Sequence, residues 1–136
     1  GCPFERARRE AARLRQQTPV VLVDVHAEAT SEKVALGWYL DGQCTAVLGT
    51  HTHVPTNDAR VLPGGTAYMT DVGMTGPRDG VIGVDRKAIL DRFLTGLPRD
   101  FRVAGGARQL CGAVLDVDET TGRARHIAPV HREDDD

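Results

Sequence analysis

An α/β fold is predicted for this chain, and three observations carry the prediction. The runs Val20-Val21-Leu22-Val23-Asp24-Val25 and Ala46-Val47-Leu48 are short and apolar, as buried strands are. Segments with helical spacing alternate with them, at 4–16 and from about Thr30 to Leu40. The resulting order of helix, strand, helix, strand suits an α/β domain rather than an all-helical one.

Taken in order, residues 4–16 form an amphipathic helix with Phe4, Ala7, Ala11 and Leu14 on its apolar face. Arg6, Arg8, Arg9, Arg13 and Arg15, interleaved with Glu5 and Glu10, make a solvated outer face. Gln16-Gln17-Thr18-Pro19 ends the helix before the strand at 20–25. Thr30 or Ser31 is expected to cap the next helix, with Glu32 near its positive end and Asp41-Gly42 as its stop. Trp38 is assigned to core packing in that helix. Ala59-Arg60-Val61-Leu62 and Thr66-Ala67-Tyr68-Met69-Thr70 flank Pro63-Gly64-Gly65 and read as a hairpin. Asp71 to Gly80 is a glycine-dense stretch that matches no phosphate-binding fingerprint, and the role of its Gly73–Gly76 loop stays open. Asp85 caps a further helix, with Ile89, Leu90, Phe93 and Leu94 inward and Gly96 and Pro98 as stops. Phe101-Arg102-Val103, Gln109 to Val117 and Ala124 to Val130 then make an antiparallel meander, and Glu133 to Asp136 a frayed acidic tail.

Composition bounds the function. A chain of 136 residues is one domain, long enough to bury roughly two-thirds of its unfolded surface. A formal charge of −2 gives no pull toward duplex nucleic acid or anionic lipid. No apolar run approaches the ~20 residues of a membrane span. The widely spaced Cys2, Cys44 and Cys111 resemble neither a disulfide framework nor a zinc ribbon, which suits a reducing cytoplasm.

The chemistry concentrates in histidine. The first apolar run ends on His26, and the second leads into Gly49-Thr50-His51-Thr52-His53. In extended backbone, residues two apart point to one side, so His51 and His53 are expected to face a common point. Ligands of open α/β sheets bind at the carboxyl ends of strands, and imidazole is the commonest neutral metal ligand. Together these observations predict a metal site shared by His26, His51 and His53. Glu28 lies two residues past His26, where binding metal, orienting a histidine or facing solvent are all open to it. His126 and His131 are assigned to the surface.

Three segments carry a family resemblance: Asp24 to Lys33, Gly49 to Val54 and Thr70 to Pro77. They resemble the YmdB-type branch of the calcineurin-like metallophosphoesterases, with further similarity from Pro3-Phe4 to about residue 130. The resemblance implies that the chain is part of a four-layer α/β/β/α sandwich with two metal ions, iron or manganese, at the strand ends. It implies a cytoplasmic bacterial phosphodiesterase acting on small cyclic nucleotides such as 2′,3′-cyclic AMP. By position, His26 and His51 resemble ligands of one metal and His53 a ligand of the other.

The likeness covers only the carboxyl-terminal half of a typical family member. The Gly-Asp, Gly-Glu-Asn and Gly-Asn-His motifs of the amino-terminal half do not occur here. With them go an aspartate, a bridging glutamate, an asparagine and the proton-donating histidine, so no catalytic residue is assigned in this chain. The resemblance therefore implies half an enzyme, inactive alone, with an exposed apolar face beside 20–25 or 45–49 that favours homo-oligomers. Two alternatives are an inactive fragment with a partial histidine site and a mononuclear zinc hydrolase with three histidines on one ion. A zinc deaminase would need Pro-Cys-x-x-Cys, which is absent. An amidohydrolase barrel would need about 250 residues.

Overall fold

A computed structural model of the chain describes residues 1–134. Helix α1 (Pro3–Leu14) opens with Pro3 at its first turn and is followed by strand β1 (Leu22–His26). Helix α2 (Thr30–Tyr39) leads to strand β2 (Ala46–Thr50), which pairs with β1 in parallel, His26 opposite Thr50. The expected hairpin forms from β3 (Arg60–Val61) and β4 (Ala67–Met69), and β4 pairs in parallel with β2. The first sheet thus runs β1-β2-β4-β3. A second, antiparallel sheet contains β5 (Gly76–Pro77), β6 (Arg108–Val117) and β7 (Ala124–Asp134), with helix α3 (Arg86–Thr95) between β5 and β6.

Alternation along the central strands builds a core on each face of the first sheet. Val47 and Tyr68 turn to one side, where they meet Ala11, Leu36 and Leu40 of the helical segments. Ala46, Ala67 and Met69 turn to the other and meet Ala124 and Ile127 of the second sheet. The layers are therefore helix, mixed sheet, antiparallel sheet. Among the described residues the second sheet leaves β1 uncovered, with Leu22, Asp24 and His26 exposed. Leu22 remains 57% exposed and borders an apolar slot with Val23, Leu48 and Val72, the open face expected beside this strand.

Helix α1 carries its charges in the solvated face as expected, with Arg6–Glu10, Arg8–Glu5 and Arg13–Glu10 pairs at 2.8–3.2 Å. Other details depart from expectation. Ala29, not Thr30 or Ser31, occupies the N-cap of α2, and no side chain caps it, because Thr30 already begins the helix. Trp38 is 49% exposed rather than in the core. It sits off the Leu36/Leu40 stripe, with the Arg60 guanidinium 5.5 Å from its ring centroid. Asp85 caps α3 as expected, accepting from the Ala88 N–H at 3.1 Å, and Gly96 ends it at φ 68°. Only Ile89 of the expected inward residues is buried: Leu90, Phe93 (78% exposed) and Leu94 (83%) face outward. Phe101-Arg102-Val103 forms no strand, only a bridge from Val103 to Val84. Glu133 and Asp134 of the expected frayed tail belong to β7, opposite Gln109 and Arg108, while Asp135 and Asp136 lie outside the described residues.

Cys44 shows how dry the helical side of the core is. Burial pushes its thiol up to about 11. The thiolate is the reactive form, so Cys44 is expected to resist a thiol reagent at neutral pH while exposed Cys2 reacts. Cys44 labelling in the native protein as fast as in denaturant would show that this core opens freely.

Candidate metal centre

The parallel strands deliver their carboxyl ends to one edge. Two backbone features then set the histidines. β2 stops at Thr50, and His51 and His53 adopt φ values of 132° and 66°. The His-Thr-His segment is thus not extended, and its alternate residues do not share a side as the sequence alone suggests.

His26 and His51 come together. His51 Nδ1 lies 3.2 Å from His26 Nε2, with the rings edge to face at 5.0 Å between centroids. Two nitrogens bound to one ion at about 2.0–2.1 Å each are separated by roughly 2.9–3.4 Å. The spacing therefore fits adjacent ligands of a single metal. The outer partners favour the same use. The Thr50 hydroxyl donates to Asp24 Oδ1 at 3.4 Å, leaving Thr50 Oγ1 to accept from His26 Nδ1–H at 3.1 Å. The His26 lone pair then falls on Nε2, the nitrogen that faces His51.

His53 is held apart from this pair. Its Nδ1–H donates to the carbonyl of Ile82 at 3.1 Å, which leaves the lone pair on Nε2. It borders a polar cavity with Met74, Arg78, Gly83 and Gln109. Among the described residues, no group of three or more His, Cys, Asp or Glu side chains is placed to hold one metal. The single site shared by three histidines is therefore not formed; the chain presents a pair and a separate third imidazole. Glu28 lies two residues beyond His26, and His126 and His131 are exposed on β7.

The side chains that shape this edge are ones that sequence reasoning passed over. Asp71 is wholly buried behind the histidine loop. Its Oδ2 accepts from the Thr52 N–H (2.8 Å), the Thr52 hydroxyl (2.9 Å) and Lys33 Nζ (3.4 Å), and Oδ1 accepts from the Gly73 N–H (2.9 Å). Burial alone would raise this carboxyl, but these bonds together outweigh it and hold Asp71 below the usual carboxylate range. A signal did exist: Asp71 follows the third parallel strand just as His26 and His51 terminate the other two. Gly73, at φ 86°, turns the glycine-dense loop so that its N–H reaches Asp71.

A family model for YmdB-like proteins matches residues 1–130. The chain belongs to this family. It is 54% identical over 133 residues to the 2′,3′-cyclic-nucleotide 2′-phosphodiesterase of Bacillus subtilis, covering 98% of the chain and 50% of that protein. It is 40% identical over 124 residues to a putative phosphatase/phosphodiesterase of Mycoplasma pneumoniae, covering 90% of the chain and 44% of that relative. Among solved structures it matches a hypothetical protein from Thermus thermophilus, with a TM-score of 0.84 and 50% identity, over 97% of the chain and 51% of that one. It also matches a novel phosphatase from Mycoplasma pneumoniae, with a TM-score of 0.89 and 38% identity, over 98% of the chain and 47% of that one. The chain thus has the fold of one part of a metallophosphoesterase sandwich, and its family is one of phosphoesterases. It spans about half the length of the curated relatives it matches.

Proposed function

We propose that this chain supplies part of the dinuclear centre of a phosphodiesterase acting on 2′,3′-cyclic nucleotides, in a reducing cytoplasm where its cysteines stay free. The observation that carries the reading is the 3.2 Å approach of His26 Nε2 and His51 Nδ1 at the carboxyl ends of two parallel strands. In this reading those nitrogens would hold one ion, and His53 Nε2, beside the polar cavity, would hold the other. Iron or manganese suits such imidazole ligands when carboxylates complete the set. When bound, such ions would polarise a phosphoryl group and supply a hydroxide nucleophile.

The chain's own residues orient and present. Thr50 and Asp24 fix the His26 tautomer, and the Ile82 carbonyl fixes that of His53. Neutral imidazoles do nothing to offset the repulsion between two cations, so a bridging carboxylate has to come from outside these residues. The same holds for the proton donor to the leaving oxygen. The mononuclear zinc alternative needs three histidines on one ion, and His53 bonded to Ile82 stands apart from the pair. The uncovered face of β1 around Leu22 is where added sequence, or a second copy of the chain, would pack.

The test is hydrolysis of bis-p-nitrophenyl phosphate and 2′,3′-cyclic AMP with added Mn²⁺. The 136-residue chain alone is expected to give background rates, and turnover is expected when the remaining half of the Bacillus subtilis relative is supplied. Metal-dependent turnover by the isolated chain, lost on His51→Ala, would refute the half-site and point to uncredited ligands such as Asp24, Glu28 or Asp71.

A further inference from the structure

Lys33 and Asp71 form an ion pair, Nζ to Oδ2 3.4 Å, with both side chains wholly buried. Such a pair is a poor way to stabilise a core. Desolvating two charges consumes most of their attraction, and apolar replacements are often as stable. Its meaning lies in what it grips. Lys33 Nζ donates to the Thr50 carbonyl at 3.2 Å, immediately before His51. Asp71 accepts from the backbone and hydroxyl of Thr52, the residue between His51 and His53. The two ends of the pair therefore hold the chain on either side of His51.

The held segment needs holding. His51 at φ 132° and His53 at φ 66° lie in a region that side chains other than glycine avoid. Such conformations persist only where the surroundings over-determine them, and they cluster at functional sites. A carboxylate is the group suited to this task. It is an acceptor only, with room for several donors, and here four converge on it: two N–H groups, a hydroxyl and an ammonium. A neutral amide would turn one of its two ends into a donor facing those donors.

We propose that the Lys33–Asp71 pair is a positioning device that locks the His51-Thr52-His53 loop in its ligand-presenting shape. Neither residue reaches the reacting atoms; both act through Thr50 and Thr52. The inference rests on the metal-centre reading above, and its test keeps the two separable.

The experiment uses the 136-residue chain as wild type, Asp71→Asn, Thr52→Val and Thr52→Ser, with His131→Ala as a control. Two quantities are read: amide hydrogen exchange at Thr52 and Gly73 by NMR, and Co²⁺ affinity by visible absorbance. Asp71→Asn is expected to speed exchange at both amides at least tenfold and to weaken Co²⁺ binding roughly 10- to 100-fold, as loss of an outer partner does. Thr52→Val removes the hydroxyl, which bonds Asp71 Oδ2 and also the carbonyl and N–H of Val54, and is expected to shift both readouts severalfold. Thr52→Ser restores the hydroxyl and should restore both. If Asp71→Asn does not fold, the two Thr52 variants decide. Exchange and affinity within twofold of wild type in folded Asp71→Asn or Thr52→Val would overturn the device, as would failure of Thr52→Ser to rescue. A wild-type chain that gives no cobalt spectrum would mean that the histidine pair alone holds no ion; amide exchange would then decide the clamp, and the hydrolysis test above the metal-centre reading.

Discussion

His51→Ala is expected to cut manganese-dependent phosphodiester hydrolysis by on the order of a thousandfold, about 4 kcal/mol of transition-state stabilisation. The protein to use pairs this chain with the remaining half of a YmdB-like relative, so that the centre is complete. The magnitude follows from where the imidazole sits. Its Nδ1 is 3.2 Å from His26 Nε2, the spacing of two ligands on one ion, and alanine would leave an ion there one imidazole from this chain instead of two. Because two ions act together on one phosphoryl group, weakening either should remove most of the rate. His53→Ala is expected to act similarly from the other side. Trp38→Phe and His131→Ala serve as controls and should stay within a few-fold of wild type, both side chains being exposed on elements away from the strand ends. A His51→Ala protein that retains a tenth of wild-type kcat/KM would remove His51 from the centre.

Much of this arrangement was legible before any coordinates. The strands ending at His26 and before His51, the hairpin, the α1 stripe and the Asp85 cap follow from local chemistry, which periodicity and turn residues report directly. What was not legible is non-local. The α3 pattern at Leu90, Phe93 and Leu94 marks an apolar stripe, but a stripe does not say whether anything covers it, and among the described residues these side chains stay open. Trp38 failed the same way, since helical spacing places a residue on a helix face without placing a partner opposite it. The His-Thr-His segment is the instructive case. Read as extended backbone it aims both imidazoles one way; in the fold, a buried carboxylate 19 residues further on pulls Thr52 inward and turns the two histidines apart. Lys33 gave no sign of its role, because a lysine in a surface-patterned helix is expected in water. It is the glycine beside it, Gly49, that lets the lysine lie in the core.

Gly49→Ala is expected to destabilise the chain by about 3 kcal/mol or more, the upper range for forcing a group into a packed interior. Gly49 sits in β2 opposite Val25, one residue before the strand ends at Thr50, and its carbonyl accepts from the Val72 N–H at 2.9 Å. A Cβ there would lie 1.8 Å from the Thr70 carbonyl oxygen, 2.7 Å from its carbon and 2.9 Å from Lys33 Cδ. The first two atoms are backbone and cannot swing aside. Relief requires the segment leaving β4 to move away from β2, and that segment carries Asp71. The same displacement would therefore loosen the Thr52 grip and lower metal affinity along with stability. At the usual few degrees per kcal/mol for a domain of this size, the melting temperature should fall by about 10 °C. Gly105→Ala, where an added methyl meets nothing within 4 Å, should leave it unchanged. A Gly49→Ala chain that melts within about 2 °C of wild type, less than the shift expected from 1 kcal/mol, and binds Co²⁺ equally well would mean that β2 and the Thr70-Asp71 segment are not in contact as described. The shared strand edge on which both histidines are placed would fail with it.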